Sequence, residues 1–500
     1  MPDDTTERLQ QLLDQRRAKV DHLRAAGVDP YPARTTGRIT SSAAARDQFE
    51  RWERKERKSQ PSARVAGRIT NFRNLGKLAF IDIRDGSGVI QLMCRLDQLG
   101  DAWPLIASLD LGDFVEARGP LIRTRTNEIT VDATSLAILT KALRPPPEKF
   151  HGLHDLELRY RQRYLDLQVN LDAREVFVQR SRIVAALRRF MDKRGFLEVE
   201  TPVLQPEAGG AAARPFQTHF HALDEDRFLR IATELHLKRL IIGGLDKVYE
   251  VGRIFRNEGL STIHNPEFTM MESYEAYADY NDVALMVEQL IGALAEDVLG
   301  QTALTFGDQP ISLAAPWQRI TMRQAVQEHV GIDFTEYRDP DAMRALLIER
   351  KLAIPDGAGW GKLFDVLVSS LVEPNLIQPT FLMEYPVELS PLAKRTPHDP
   401  TLVERFELFI AGAEIGNAYS ELNDPIDQRA RFAQQLQQRD AGDDEAELVD
   451  EDFLIALEHG MPPTGGLGLG IDRLVMLLTN SQSIRDVILF PQLRRRPSGH

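Results

Sequence analysis

Apolar residues recur at helical spacing near the start of the chain. Leu9, Leu12, Leu13, Val20 and Leu23 lie between Thr6 and about Ala26, and Gly27 breaks the pattern. The predicted helix carries Arg16, Arg17, Lys19 and Arg24 on its polar face, which suits solvent and equally suits RNA phosphates. A mixed charge run from Arg51 to Arg64 reads as helix, then loop. The period then changes to two. Alternating segments occupy Arg64–Phe72, Leu78–Arg84, Gly88–Met93, Asp113–Ile122 and Glu128–Leu136, with turn residues such as Asn74-Leu75-Gly76 and Asp85-Gly86-Ser87-Gly88 between them. Five strands so spaced predict a small closed barrel, for which the OB-fold is the five-stranded candidate.

Leu143-Arg144-Pro145-Pro146-Pro147 is a stiff linker and marks a domain boundary. Beyond it, Val176, Ile183, Leu187 and Phe190 define a helix from about Asp172 to Arg194, ended by Gly195, and a short strand Leu197–Glu200 leads to Thr201-Pro202. Another helix opens at Thr233-Glu234. Val251, Arg253 and Phe255 alternate, and the run from Phe268 to Tyr274 alternates on the way back across a polar loop holding Gly259, Ser261 and Asn265-Pro266. Helical patterns cover Asp282 to Leu299 and Ile320 to Pro374, the second read as an insertion (about 320–375) with no chemistry of its own. Pro379–Tyr385 reads as a strand, Glu404–Leu422 as a hairpin turning at Ala411-Gly412-Ala413, and Gly465–Gly470 as a strand before a helix Leu474–Leu478. The expected division is a helical segment 1–60, a barrel 61–144 and a larger α+β domain 145–500.

Composition narrows the picture. A chain of 500 residues with 43% hydrophobic and 27% charged content is globular and has two or three cores. Its net charge of −13 argues against nonspecific coating of nucleic acid, while leaving room for a local basic track. Cys94 is the only cysteine, so disulfides within the chain and cysteine-rich zinc sites are excluded. No basic start with an apolar run marks a signal peptide, and no apolar stretch approaches the roughly 20 residues a bilayer needs. The expected compartment is the cytoplasm, with no membrane partner. The Arg-rich tail from Arg494 to His500 has no assigned role.

The chemistry gathers on the Val251–Tyr274 hairpin. Arg256 offers a rigid fork of donors to a carboxylate or phosphate, Glu258 can accept from a base edge, His264 can meet a phosphate, and Phe268 is a stacking surface. Glu272 and Tyr274 share a face of the return strand. The same residues would also suit an edge hairpin with solvated charges. On the barrel, Phe80 is the stacking candidate, with Arg68, Gln91 and Glu128 as readers; the competing reading of a strand Phe is core. The turn at Ala411-Gly412-Ala413 predicts Glu407 opposite Glu414, a like-charged pair that asks for a cation such as Mg²⁺. A bulge at Gly416 would bring Asn417, Tyr419 and Glu421 to the same face as Glu414. Gly466, Gly468 and Gly470 alternate, leaving a strand face without side chains for a flat adenine, and Arg473 follows. Gly209-Gly210-Ala211-Ala212-Ala213 permits close approach of a ligand to backbone.

Phe255-Arg256-Asn257-Glu258 resembles the second signature motif of class II aminoacyl-tRNA synthetases, and the whole run VGRIFRNEGLSTIHNPEFTMMESY is similar to the lysine-specific, bacterial-type members. The helix–strand–Thr201-Pro202 order resembles the first motif, which forms a dimer contact in that family. Gly465–Arg473 resembles the third. The resemblance covers nearly the whole chain and implies an anticodon-binding OB-fold before an antiparallel sheet flanked by helices, as a homodimer. It further implies lysine, ATP and tRNA(Lys) as partners and Mg²⁺ as cofactor. Arg256 and Arg473 would be catalytic. ATP would meet Arg256, Glu258, His264, Asn265, Phe268 and Arg473. Lysine would meet Gly210, Glu234, Arg256, Glu272, Tyr274, Asn417, Tyr419 and Glu421. Mg²⁺ would meet Glu407 and Glu414, and the anticodon Arg68, Phe80, Gln91 and Glu128. Two alternatives are a synthetase-like enzyme that lysylates protein, whose known examples lack the OB-fold, and an RNA-binding regulatory module with an inactive catalytic domain.

Overall fold

The computed structural model describes every residue except 1–3, 56–58, 148–152, 208, 212, 356, 441–448 and 496–500, so Ala212 and most of the C-terminal tail lie outside the described residues. The chain divides into two compact units, Met1–Gly152 and Leu153–His500. No described helix is long and apolar enough to cross a membrane.

In the first unit, helices α1 (Asp4–Ala25) and α2 (Ser42–Arg54) precede strands β1 (Ser62–Asn74), β2 (Leu78–Arg84), β3 (Val89–Arg95), β4 (Phe114–Arg123), β5 (Ile129–Ala133) and β6 (Ser135–Thr140). β1 pairs with both β2 and β4, β3 runs parallel to β5, and β4 takes β5 and then β6, which closes a barrel. The fifth strand expected over Glu128–Leu136 is therefore a bent one that breaks at Thr134, whose N–H donates to Arg118 O. Alternation fixes the two faces. Ala79, Ile81 and Ile83 are fully buried, whereas Phe80, Asp82 and Arg84 point outward. Leu23, Ala45 and Phe49 of the two helices join the barrel's core. One expectation changes here. Arg16 is buried and donates to Ala142 O at 2.5 Å and Leu111 O at 3.1 Å, and Lys19 pairs with Asp110 at 2.7 Å. These two cations fasten α1 to the barrel and do not form a face free for RNA.

The second unit is built on an eight-stranded sheet. Its elements are α3 (Leu171–Lys193), β7 (Leu197–Glu198), α4 (Glu234–Ile242), β8 (Lys247–Phe255), β9 (Glu267–Ala276), α5 (Tyr280–Leu299), β10 (Gln318–Thr321), β11 (Thr380–Pro386), β12 (Leu402–Ile410), β13 (Ala413–Ser420), β14 (Thr464–Gly470) and α6 (Ile471–Leu478). The order is β10-β11-β12-β13-β14-β9-β8-β7, antiparallel except for the pairs at the two edges. One face sends Met271, Phe406, Leu408, Ala418, Leu467 and Leu469 into a core shared with α3, α5 and α6. Residues of opposite parity on the same strands face a cavity. The inserted helices Met322–Val330, Pro340–Glu349 and Trp360–Leu371 form a further core with Leu382, Tyr385 and Phe409.

Gly119 marks the tightest crossing in the barrel, because a Cβ there would fall inside the contact radius of Asp132 O, a backbone atom that has nowhere to go. Gly119→Ala is expected to destabilise the barrel by about 3 kcal/mol and lower the melting temperature by roughly 10 °C. A calorimetric midpoint within a degree or so of the parent chain would show that the crossing is looser than described.

Candidate functional site

The open face of the eight-stranded sheet floors a cavity of about 1090 Å³. β8 and β9 supply its centre, with Phe255 opposite Glu267 and Ile254 opposite Phe268 as the hairpin opens. Arg256, just past β8, lies with its guanidinium 5.3 Å from the Phe268 ring centroid and donates from Nε to Ile231 O at 3.3 Å. A flat, charged and partly open surface results. Glu258 is exposed beside it and lines the same cavity. Asn265 is buried; its amide donates to Glu267 O and accepts from Gln492 N–H, so it braces the loop.

Arg473 is held at the start of α6. The preceding Asp472 accepts from Thr269 N–H at 2.6 Å and pairs with Arg180 at 2.5 Å, which ties the helix to the hairpin. Arg473 Nη1 reaches Glu414 Oε2 at 3.1 Å, and Nη2 reaches His264 Nε2 at 3.2 Å. Since arginine only donates, His264 Nε2 accepts, and Nδ1 carries the proton toward Ser261 Oγ, 2.9 Å away. Burial, reinforced by Arg473, lowers the imidazole's pKa, consistent with a neutral ring. His264 therefore aims Arg473.

The hairpin of β12 and β13 departs from expectation. Ala411 and Gly412 turn with positive φ, as the turn residues predict. However, Glu407 lies opposite Asn417, and Glu414 lies opposite Phe409. The register shift places the extra residue at Ile415, one before the predicted Gly416. The bulge still delivers both carboxylates to the cavity, because it reverses the parity of the strand between Glu414 and Asn417. Glu407 is tied to Arg405 and accepts from Tyr385 O–H at 2.9 Å. Burial raises its pKa, Arg405 opposes this, and Glu414 adds to it. Arg405 also donates to Asn417 Oδ1, and Asn417 Nδ2 donates to Tyr419 O–H at 2.8 Å.

At the far end, Glu272 is buried and accepts from Thr233 N–H at 3.0 Å, with Tyr274 O–H 3.4 Å from its other oxygen. Burial pushes the Glu272 carboxyl up to about 7, against the Thr233 hydrogen bond. Glu234 opens α4 and, with Gly210, lines the wall; Gly210 has φ +86° and sits against Glu234 and Ala232. Glu421 stands behind the wall, buried, in an ion pair with Lys238. Gly466 is needed there, since a Cβ would strike the Glu421 carboxylate and the Tyr274 ring. Of the three alternating glycines, Gly466 thus makes room for a carboxylate, and only Gly468 and Gly470 leave an open strip.

Sequence reasoning missed several participants. Arg405 sits two residues before Glu407 on the same face, and Lys238 one helical turn after Glu234; both spacings were visible. The insertion does contribute to the site, because Gly357 to Lys362 line the cavity. On the barrel, Phe80 is half-buried on the outer face with the Arg73 guanidinium 5.7 Å from its ring. Gln91 donates to Asp82 at 3.2 Å and accepts from Thr130. Arg68 covers the Phe114 ring at 4.4 Å and donates to Gly112 O, and Glu128 lies 3.7 Å from Arg46.

Comparison with known proteins gives the chain's family. The family described as tRNA synthetases class II (D, K and N) matches residues 155–494, and the OB-fold nucleic acid binding domain matches residues 63–139. A lysine–tRNA ligase of Dehalococcoides mccartyi (strain ATCC BAA-2266 / KCTC 15142 / 195) is 55% identical over 96% of this chain and 97% of its own length. Those of Moorella thermoacetica and Bacillus subtilis (strain 168) are 52% and 51% identical, each over at least 97% of both chains. Likeness of this extent leaves one placement: the chain belongs to the class II tRNA synthetases and, within them, to the bacterial lysine–tRNA ligase family.

Proposed function

We propose that this cavity activates L-lysine with ATP and then passes the lysyl group to the 3′ end of tRNA(Lys). The observation that carries the reading is one cavity lined by buried acceptors, Glu272 and Tyr274, and by two arginines, Arg256 and Arg473. A lysine carboxylate oxygen attacks the α-phosphorus, the bond to the β-phosphate bridge breaks, and pyrophosphate leaves. A terminal ribose hydroxyl of tRNA then attacks the lysyl carbonyl, and AMP leaves. Neither step needs a protein nucleophile, so alignment and charge neutralisation do the work. Arg256 bridges the lysine carboxylate and the α-phosphate. Phe268 and Glu258 hold adenine, and Arg473, aimed by His264, holds the outer phosphates. Asn265 keeps the loop in place. Glu234 and Gly210 meet the α-amino group. Glu272, Tyr274 and Glu421 meet the ε-ammonium, and Asn417 and Tyr419 wall the stem.

Glu407 and Glu414 fit a Mg²⁺ ion, because both carboxylates line the cavity, Glu414 beside Arg473 and Glu407 held by Arg405 and Tyr385. When bound, the ion would screen phosphate charge. On the barrel, Phe80, Gln91, Glu128 and Arg68 form the anticodon face. A homodimer through α3 and the β7 region is supported by exposed Leu171, Leu197, Val203 and Leu204. We read the enzyme as cytoplasmic, with working parts 1–60, 61–144 and 145–500.

Charging of total tRNA with each amino acid in turn tests the function. Lysine alone is expected to be transferred, and ATP–pyrophosphate exchange is expected to require it. Exchange without lysine dependence would refute the reading. Phe80→Ala is expected to weaken tRNA charging about tenfold or more while sparing exchange, because stacking supplies roughly 1–3 kcal/mol per base. Equal losses in both assays would remove Phe80 from the anticodon face.

Glu272 gives a pH signature. Its carboxyl titrates near 7 when buried, above the usual value of about 4.3. The folded, ligand-free state thus holds the proton more tightly than the unfolded chain. The associated stability is present below about pH 4.3 and lost as pH rises through about 7. Lysine needs the anion, so its KM is expected to rise about fivefold between about pH 7 and about pH 6, with the ATP KM flat. Glu272→Gln should leave the lysine KM high and independent of pH. A flat profile in the unsubstituted chain would mean that another group receives the ammonium.

A further inference from the structure

Behind the cavity lies a cation that the reaction just described does not use. Lys238, on α4, is fully buried, with Nζ 2.5 Å from Glu234 Oε1 and in an ion pair with Glu421 Oε2. Glu234 is one turn earlier on the same helix, whereas Glu421 follows the end of β13. The Phe453 ring, from the helix Glu451–Glu458, lies 5.9 Å from Nζ. The remaining ionisable groups around the two acids are Glu272 and Tyr274 on β9 and Tyr419 on β13. Glu250, opposite Glu272 across the hairpin, is already matched by Arg230 at 2.5 Å. Burial works to discharge Lys238, and the two carboxylates outweigh it, holding the ammonium above its ordinary range.

Counting charges gives this arrangement a purpose. Burial pushes ligand-free Glu272 up to about 7 and Glu421 up to about 8; once ammonium groups ionise them, Glu234, Glu272 and Glu421 bring three negative charges, and Lys238 returns one positive. Two negative charges remain. Free lysine brings two ammonium groups, and its carboxylate belongs to Arg256. Geometry points the same way. Glu421 Oε2 is in an ion pair with Lys238, Oε1 is buried against Gly466 and Tyr274, and neither oxygen has a hydrogen-bond partner.

We propose that Lys238 is a positioning residue for amino-acid specificity, a resident counter-ion that orients Glu421 and Glu234 and trims the pocket's charge to match two ammonium groups. The inference rests on the assignment of these carboxylates to lysine made above. An amino acid with a single ammonium leaves one of the two charges unmatched. Removing Lys238 leaves three buried carboxylates to share a space built for two, and one of them takes up a proton near neutrality.

Lys238→Met, similar in length and without charge, tests this. At about pH 7.5 the lysine KM is expected to rise about tenfold or more, while the ATP KM stays within about twofold. Raising the pH to about 8.5 should recover much of the loss, because it ionises the third carboxylate. Lys238→Arg, which keeps the charge, should retain the parental pH profile. On a Glu421→Gln background, Lys238→Met should add clearly less than it costs in the unsubstituted chain, since one of the two acids it serves is gone. An unmoved pH profile, or equal losses for lysine and ATP, overturns the proposal. Should the variants fail to fold, the crystal structure of the unsubstituted chain with lysine bound decides. Nζ still bridging Glu234 and Glu421 supports the counter-ion role, and Nζ swung away overturns it. Absence of lysine-dependent exchange in the unsubstituted chain overturns the parent reading and this one together. Retained dependence with an unaltered Lys238→Met profile overturns this one alone.

Discussion

A carboxylate taken out of water stays an anion only where fixed dipoles or cations replace the water it lost. That constraint governs the amino-acid end of the cavity, where Glu234, Glu272 and Glu421 are all buried. The fold meets it with local devices. A backbone N–H from Thr233 serves Glu272, Lys238 serves the other two acids, and Arg230 removes Glu250 from the count. The missing side chain of Gly466 provides the space. Thr233 and Lys238 come with α4, Arg230 with the segment before it and Gly466 with β14, so the site exists only when the central strands and α4 are all assembled.

The same economy links the two ends of the cavity. Tyr419, beside the amino-acid stem, receives a hydrogen bond from Asn417, which is held by Arg405, which is paired with Glu407. Glu414 faces the same cavity and is tied through Arg473 to His264 on the hairpin loop. Arg405 lies between the rings of Tyr385 and Tyr419, at 4.4 and 5.5 Å. A guanidinium so enclosed is held on several sides, and both Glu407 and Asn417 inherit its position.

Much of the architecture was legible because its signals are periodic. Period-two patterning located both strands of the β8–β9 hairpin and the barrel strands, and the glycine run marked β14. What escaped the reading depends on contacts between distant segments. Arg16 and Lys19 look like a solvated face until the barrel carbonyls and Asp110 arrive to claim them. Lys238 looks like any helix lysine, because nothing near it in sequence announces Glu421, 183 positions later. The β12–β13 register was misjudged because turn residues fix where a hairpin reverses and say little about an extra residue two positions on. The insertion was read as chemically silent from its apolar periodicity, which describes its core-facing side and not the loop at Gly357–Lys362.

The bulge at Ile415 has a consequence for how β13 divides its labour. In a regular strand every second side chain belongs to one compartment, so an acid at one position and an amide three positions later would serve opposite masters. The extra residue acts as a phase slip. It lets a single stretch of backbone deliver both Glu414 and Asn417 to the cavity, while Ile415 and Ala418 still feed the helical core. In the proposed reading, the groups that meet the two substrates are thereby indexed to one ruler, and their spacing is set by a covalent chain instead of by the meeting of separate loops.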